Sequence, residues 1–247
     1  MTRRPIALAV LAIAHVAAAD PPKQLHVMTY NVEFNNPAPK ISLDAIAGAD
    51  ADVVLLQEVS ADWARWLDAR FATQYPHRAY HTETRGAAGI AVLSKLPIET
   101  DELLQPPSGG WFVAERLVIT GPFGPVQMLN VHLRPANDGG WVRGFFTTRA
   151  VREREAAAYV PELARDLPTL VAGDFNEPPD GRAVAYLQAH GFAIANAKGP
   201  PTWHLDPLVF DLDRVMIDKH LAAGDGRVLD AGTSDHRPVI VTIATAR

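Results

Sequence analysis

Short runs rich in Val, Ile and Leu recur along this chain, at Leu25–Val32, Val53–Val59, Ile90–Leu93, Phe112–Ile119, Val126–Leu133, Thr169–Ala172, Arg214–Ile217 and Val239–Ile243. Gly, Pro, Asp or Asn bound them, so they read as buried strands. Gly121-Pro122-Phe123-Gly124 separates two of them and reads as a hairpin turn. Helical stretches fall between others, at Ser42–Ala49, Ala61–Ala72, Thr147–Leu167 and Asp180–His190. Ser42, Ser60 and Asp180 are the expected N-caps, and Gly191 the expected stop. Many strands, hairpins too short for a parallel crossover, and a few interspersed helices predict a mixed sheet system with helices outside. No repeat, low-complexity block or long Pro-rich linker divides the chain.

Polar side chains interrupt these runs at particular places. Asn31 lies at the end of the first run and Glu58 at the end of the second; His132 closes Val126–Leu133; Asp174 and Asn176 follow Thr169–Ala172. Asp213 opens the run through Ile217, and Asp235 and His236 just precede Val239–Ile243. If the last two strands run antiparallel to the others, their starts meet the other strands' ends, and all of these side chains converge on one rim. Singly, each has a bland reading: a cap, an Asx turn in Gly173-Asp174-Phe175-Asn176, a satisfied core histidine. Ser234-Asp235-His236 is no serine triad, because adjacent residues lack its geometry and no G-x-S-x-G elbow occurs. Together the residues form a site. Oxygen donors dominate, which suits Mg²⁺ or Mn²⁺, and histidine beside carboxylate suits proton transfer. A metal beside a His–carboxylate pair is equipment for hydrolysing a phosphate ester.

Composition narrows the classes further. The absence of cysteine excludes disulfides, thiol nucleophiles and zinc–thiolate sites. A net charge of 23 − 28 = −5 excludes a basic coat for nucleic acid, though not a small basic groove. Arg3 and Arg4 precede an apolar run from Ile6 to Ala14, and the segment ends in Ala17-Ala18-Ala19. This pattern predicts a secretory signal over residues 1–19, cut after Ala19, and a secreted or periplasmic protein with one catalytic domain over 20–247. A buried N-terminal helix or uncleaved anchor is the alternative. Cleavage would leave 21 − 28 = −7, since the segment holds two arginines and no acid.

Seven motifs follow one another in order: Thr29-Tyr30-Asn31-Val32, Leu56-Gln57-Glu58-Val59, the stretch Gly89–Ile98, Asn130-Val131-His132-Leu133, Gly173-Asp174-Phe175-Asn176, Asp213-Arg214-Val215 and the stretch Ser234–Val239. In this order the chain resembles the endonuclease/exonuclease/phosphatase superfamily, the group of pancreatic-type deoxyribonucleases, abasic-site endonucleases, sphingomyelinases and inositol polyphosphate 5-phosphatases. The resemblance covers roughly residues 25–243. It implies an α/β (α+β) fold, a four-layer αββα sandwich of two mixed, mainly antiparallel sheets flanked by helices. It implies Glu58 as principal Mg²⁺ ligand, with Asn31 and Asp235 near the metal, and Asp174 positioning or deprotonating the attacking water. Asn176 would bind a phosphoryl oxygen, His236 would contact the phosphate and move a proton, and His132, also at the phosphate, would assist the leaving group or the charged transition state. The acid directly before the final hydrophobic strand would orient His236, which favours Asp213 over Asp211. Arg116 resembles a strand-start arginine of the family that contacts phosphate, and reads equally as an exposed arginine pairing an acid.

The substrate class is a phosphate ester: nucleic acid, phospholipid or a small phosphodiester. The implied enzyme is a secreted Mg²⁺-dependent hydrolase, a phosphodiesterase or nuclease ahead of a phosphomonoesterase, and no protein partner is evident, so a monomer is expected. For nucleic acid, Arg134, Arg143, Arg149, Arg152 and Arg154 interleave with Trp141, Phe145 and Phe146. Glu153 and Glu155 dilute that charge, so the helical part reads as a solvated face, and Pro135–Phe146 remains as a substrate loop. A sphingomyelinase-like lipid hydrolase should show an exposed apolar hairpin, for which Trp111-Phe112 and Gly140-Trp141 are short candidates. A catalytically inactive binding protein on this scaffold is the reading from another class.

Overall fold

The computed structural model describes residues 23–82, 86–137, 140–196 and 199–246. The predicted signal segment lies outside the described residues. In chain order the first half forms β1 (Leu25–Asn31), α1 (Pro39–Ala49), β2 (Val53–Gln57), α2 (Ala61–Phe71), β3 (His77–His81), β4 (Ile90–Ser94) and β5 (Ile98–Leu104). Then come β6 (Ala114–Gly121), β7 (Gly124–His132), α3 (Trp141–Thr147), α4 (Arg149–Tyr159), β8 (Thr169–Asp174) and α5 (Arg182–Ala189). The chain finishes with β9 (Ala193–Ile194), β10 (Trp203–Leu205), β11 (Leu208–Phe210), β12 (Asp213–Ile217), β13 (Leu221–Val228) and β14 (Val239–Thr245).

Two six-stranded sheets result, ordered β13-β14-β1-β2-β4-β3 and β5-β6-β7-β8-β12-β9, with β10 and β11 as a separate hairpin. Each sheet is antiparallel except for one central parallel pair, β1 with β2 and β7 with β8. Those pairs need helical crossovers, which α1 supplies in the first sheet and α3 and α4 in the second. The strands read as near-continuous apolar runs because both faces are covered. Leu25, Val27, Val53 and Leu55 pack between the sheets with Leu117, Val126, Val215 and Val241. Their neighbours Met28, Tyr30, Val54 and Leu56 turn outward onto Ile46, Trp63, Leu67 and Phe71 of α1 and α2. On the far side, Leu129, Val131 and Val171 meet Ala156, Tyr159, Val184 and Leu187 of α4 and α5. The layers are helix, sheet, sheet, helix, which is the anticipated four-layer sandwich.

Local details differ from the sequence reading where side chains have other partners. Helix α1 starts at Pro39, a residue pre-set for the first turn, and Ser42 lies buried inside it, bonded to Tyr30 Oη at 2.9 Å. Ser60 does cap α2, accepting from the Trp63 N–H at 3.3 Å. Asp180 does not cap α5; the N-cap is Gly181, and the Glu177 carboxylate accepts the Val184 N–H at 2.9 Å instead. The expected helix Thr147–Leu167 is the shorter α4, which Pro161 ends in a 3₁₀ turn over Val160–Glu162, and α3 before it was not anticipated. The hairpin turn at 121–124 forms as expected, with Gly121 opposite Gly124.

Candidate active site

Register decides which side chains meet. Parallel pairing sets Asn31 beside Gln57, so Asn31 and Glu58 leave the first sheet together. In the second sheet His132 lies beside Asp174 in the parallel pair, and antiparallel β12 places Asp213 opposite Asp174. β14 runs antiparallel to β1, so the segment before it brings Asp235 and His236 to the same rim. The condition set by the sequence is met: β12 and β14 start at the rim where β1, β2, β7 and β8 end.

Backbone geometry at this rim is unusual. Glu33, Glu58 and Asn176 have φ of 60°, 60° and 52°, in the left-handed region that non-glycine residues enter at a cost of about 1–3 kcal/mol each. Gly173 has φ 145°, and a Cβ there would lie 1.9 Å from the Val131 carbonyl oxygen. The chain thus bends sharply after each strand so that the next side chain turns back over the sheet ends.

Asp174 is the hub. Its Oδ2 accepts from Asn31 Nδ2 at 3.1 Å and Asn176 Nδ2 at 3.2 Å, with His132 Nε2 at 3.5 Å and His236 Nε2 at 3.6 Å. Its Oδ1 accepts the Asn176 N–H at 2.8 Å. Asn31 also donates to Glu58 Oε1 at 3.0 Å, so one amide ties the two carboxylates together. His236 Nδ1 lies 2.8 Å from Asp213 Oδ2. Thr202 Oγ1 accepts the N–H groups of both Leu212 and Asp213 at 2.9 Å, fixing where that carboxylate points. Ser234 pins the loop: its hydroxyl donates to the Asn31 carbonyl at 2.7 Å and accepts the His236 N–H at 3.0 Å. Trp203 Nε1 donates to Asp235 Oδ2 at 2.8 Å.

The charges differ sharply between the two histidines. Burial opposes a charge on His236, but Asp213, Asp174 and Asp235 outweigh it and push the pKa up to about 10. Burial wins at His132 over the attraction of Asp174, and its pKa falls to about 4. Near neutral pH the site therefore holds one imidazolium and one neutral imidazole. Burial also raises Glu58, with Asp235 adding repulsion against the bonds from Asn31 and Phe34 N–H. Glu33 is raised by burial and then by Asp235.

Among the described residues a cavity of about 490 Å³ opens onto this group, lined by Glu58, His132, Asp174, Asn176, Asp235 and His236 and walled by Phe34, Trp111, Phe112 and Trp203. Lys and Arg are absent from that lining. Pro135, Ala136 and Asn137 of the expected substrate loop border it. Phe112 is no surface residue: it stacks on the His132 ring, centroids 4.2 Å apart. The exposed apolar hairpin lies elsewhere, at β10–β11, where Leu205, Leu208 and Val209 are 56%, 44% and 55% exposed. Its root is joined to the loop that carries Asp235 and His236, since the His204 N–H donates to the Asp235 carbonyl at 2.9 Å.

Some expected residues lie apart. Arg116 is not brought to the cavity; its guanidinium bonds Glu102 and the Glu162 carbonyl. Asp211 pairs with Arg214 at 3.5 Å and does not reach His236. The expected solvated face of α4 holds at Glu153 and Arg154, which are accessible, but fails at Arg152 and Glu155. Arg152 and Glu155 are fully buried, Arg152 bonded to Glu177 Oε2 at 3.1 Å and Glu155 accepting the Arg134 N–H at 2.9 Å. Helical spacing puts both on the face toward the second sheet, where paired charges replace apolar contacts. Sequence reasoning missed Glu33, Phe34, Thr202 and Trp203. Glu33 could have been found two residues beyond Asn31; the hairpin that carries Trp203 offers no such signal.

The model of the endonuclease/exonuclease/phosphatase family matches residues 28–236. A 105-residue stretch is 31% identical to the inositol phosphosphingolipids phospholipase C of Saccharomyces cerevisiae, covering 36% of this chain and 22% of that protein's length. Among solved structures, an endonuclease/exonuclease/phosphatase from Beutenbergia cavernae superposes with a TM-score of 0.73 at 18% identity, over 91% of this chain and 72% of that one. Sphingomyelinase C from Streptomyces griseocarneus superposes with a TM-score of 0.69 at 20% identity, over 91% and 99%. At these identities the structural likeness is one of fold.

Proposed function

This chain belongs to the endonuclease/exonuclease/phosphatase family, whose members are hydrolytic phosphoesterases, and from that premise we propose that it is a Mg²⁺- or Mn²⁺-dependent phosphodiester hydrolase. One observation carries the reading: a charged His236 held between Asp213 and Asp174, with Asn31 tying Asp174 to Glu58. The donor set fits a hard divalent cation. Burial, with the Asp235 charge added, raises Glu33 and Glu58, and among the described residues no Lys or Arg lines the cavity to offset these acids. Glu58 and Asp235 would hold the ion, with Asn31 beside them. When bound, it supplies charge neutralisation at the phosphoryl and leaving oxygens.

The remaining work falls to the chain. Asp174 orients the attacking water and takes its proton, within reach of two amides that keep its carboxylate fixed. Asn176, which lines the cavity, would turn its amide from Asp174 to a phosphoryl oxygen. His236 brings a positive charge to the phosphate and, oriented by Asp213, returns a proton. His132 stays neutral at its ring and assists on the leaving-group side. The test is hydrolysis of bis-p-nitrophenyl phosphate, plasmid, RNA and sphingomyelin with Mg²⁺ and with a chelator. Asp174→Ala and His236→Ala should abolish turnover and keep the circular-dichroism spectrum. A metal-dependent, active His236→Ala enzyme would refute the assignment, and silence on every substrate without metal binding would leave the inactive-scaffold reading.

A specific observation favours lipid among the diesters. The cavity wall is aromatic, Trp111 is 49% exposed at its mouth, and the apolar hairpin stands next to it. A nucleic-acid track would instead need cations along the path. Replacing Leu205, Leu208 and Val209 with Ser should lower hydrolysis of sphingomyelin vesicles at least about tenfold and leave bis-p-nitrophenyl phosphate hydrolysis unchanged. Equal loss on both substrates would remove the lipid reading. Export with cleavage after Ala19 belongs to the same proposal, and the mass of the protein recovered from the periplasm or medium tests it.

A further inference from the structure

A second group of ligand-type side chains lies outside the cavity, at the flank where the edge strands of the two sheets come together. His81 ends β3, Asp101 lies in β5, and Glu115 lies in the neighbouring β6. Asp101 pairs with Leu117 and Leu103 with Glu115, so Asp101 and Glu115 are diagonal neighbours on one face of the second sheet. His81 reaches them from the first sheet, with Nε2 at 2.8 and 3.0 Å from the two Asp101 oxygens and 3.7 Å from Glu115 Oε1. One ligand atom from each residue falls within 4.8 Å of the other two.

The group has too few donors for its acceptors. Nε2 carries at most one hydrogen, and Asp101 takes it. Glu115 is fully buried; its Oε2 accepts from Asn130 Nδ2 at 2.9 Å, but its Oε1 has no hydrogen-bond partner and faces the other two residues. Without a cation, burial pushes the Glu115 carboxyl up to about 8, so the group must hold a proton there near neutral pH. Leaving a buried carboxylate oxygen without a partner is costly. A cation satisfies all three atoms at once, because it imposes no single donor direction. His81 and Asp101 are 26% and 22% exposed at their side chains, which gives an ion a route in.

We propose that His81, Asp101 and Glu115 form a second divalent-cation site, selective for Zn²⁺ over Mg²⁺ and separate from the Glu58 pole. An imidazole nitrogen with two carboxylate oxygens is a zinc-type donor set and leaves a fourth position to water, whereas Mg²⁺ demands an octahedral oxygen shell. The ion joins β3 to β5 and β6, and so the two sheets.

Calorimetric titration of Zn²⁺ into the full chain under saturating Mg²⁺ tests this. Wild type and Glu58→Gln should each bind one tight equivalent, and His81→Ala and Asp101→Asn should bind it at least about 100-fold more weakly. Zinc-edge X-ray absorption of the wild type should show one imidazole nitrogen with carboxylate oxygens. Unchanged Zn²⁺ affinity in both flank variants, or loss of all Zn²⁺ binding in Glu58→Gln, overturns the proposal. Asp101→Asn is isosteric and serves if His81→Ala fails to fold, and the absorption spectrum needs no variant.

Discussion

Asp213 Oδ2 stands 2.8 Å from His236 Nδ1, with no solvent between them to screen the charge. That contact sets the protonation state on which the proposed chemistry depends. Asp213→Asn should bring the His236 pKa down from about 10 toward the ordinary histidine range, read by NMR titration of the metal-free protein. Turnover should fall by about 10²–10⁴-fold, the usual span for losing acid–base assistance. Steric demands are as local. Gly173→Ala would force a Cβ against the Val131 carbonyl in a backbone conformation that L-residues avoid. It should cost at least about 3 kcal/mol in chemical denaturation, beyond the range of a surface change.

Helix α4 shows how an element can hold a loop by charge. Glu155 accepts the Arg134 N–H and so anchors the segment that leaves His132 for the cavity wall. Burial, resisted by that bond and by Arg152, pushes its carboxyl from 4.5 up to about 7. The proton is therefore held more tightly in the folded state. This stabilisation is full below the unfolded pKa and fades as pH rises through about 7. Glu155→Gln keeps the acceptor and removes the titration. Between about pH 5 and pH 8 the difference in stability should move toward the variant by up to about 3 kcal/mol, measured by urea melts. The element scale also explains what the sequence disclosed. Central strands such as β1, β2 and β7, apolar on both faces, were legible from their runs. Strands β3, β5, β9 and β13, the edges of the two large sheets, were missed, as were β10 and β11 of the separate hairpin. Edge strands carry half-polar sequences such as Ile98–Leu104, with no apolar run to find. The candidate site was legible because its residues lie at the ends of central strands. Trp203 and Phe34 were not, because an aromatic on a loop or hairpin looks the same whether it packs a core or walls a cavity.

At the scale of the whole molecule, the pole where the two sheets end concentrates Glu33, Glu58, Asp174, Asp213 and Asp235 around one charged histidine. Folding without a counter-ion works against this repulsion. Mg²⁺ at about 100 times its dissociation constant should stabilise the protein by about 2.7 kcal/mol, or roughly 5–10 °C in melting temperature. Glu58→Gln should lose most of that shift; an undiminished shift would place the ion elsewhere. The same pole is assembled from chain segments far apart, with Asn31 and His236 separated by 205 positions. β14, the last strand, docks between β13 and β1, the first. Contacts of such sequence separation close late, after local hairpins and helices have formed. Under the proposed function, activity would double as a folding clock: in refolding from denaturant, hydrolysis should return only with the slowest phase, after helical signal has recovered. A chain stalled before β14 docks would hold its carboxylates apart, so it would neither bind the ion nor cut a substrate before the sandwich has closed.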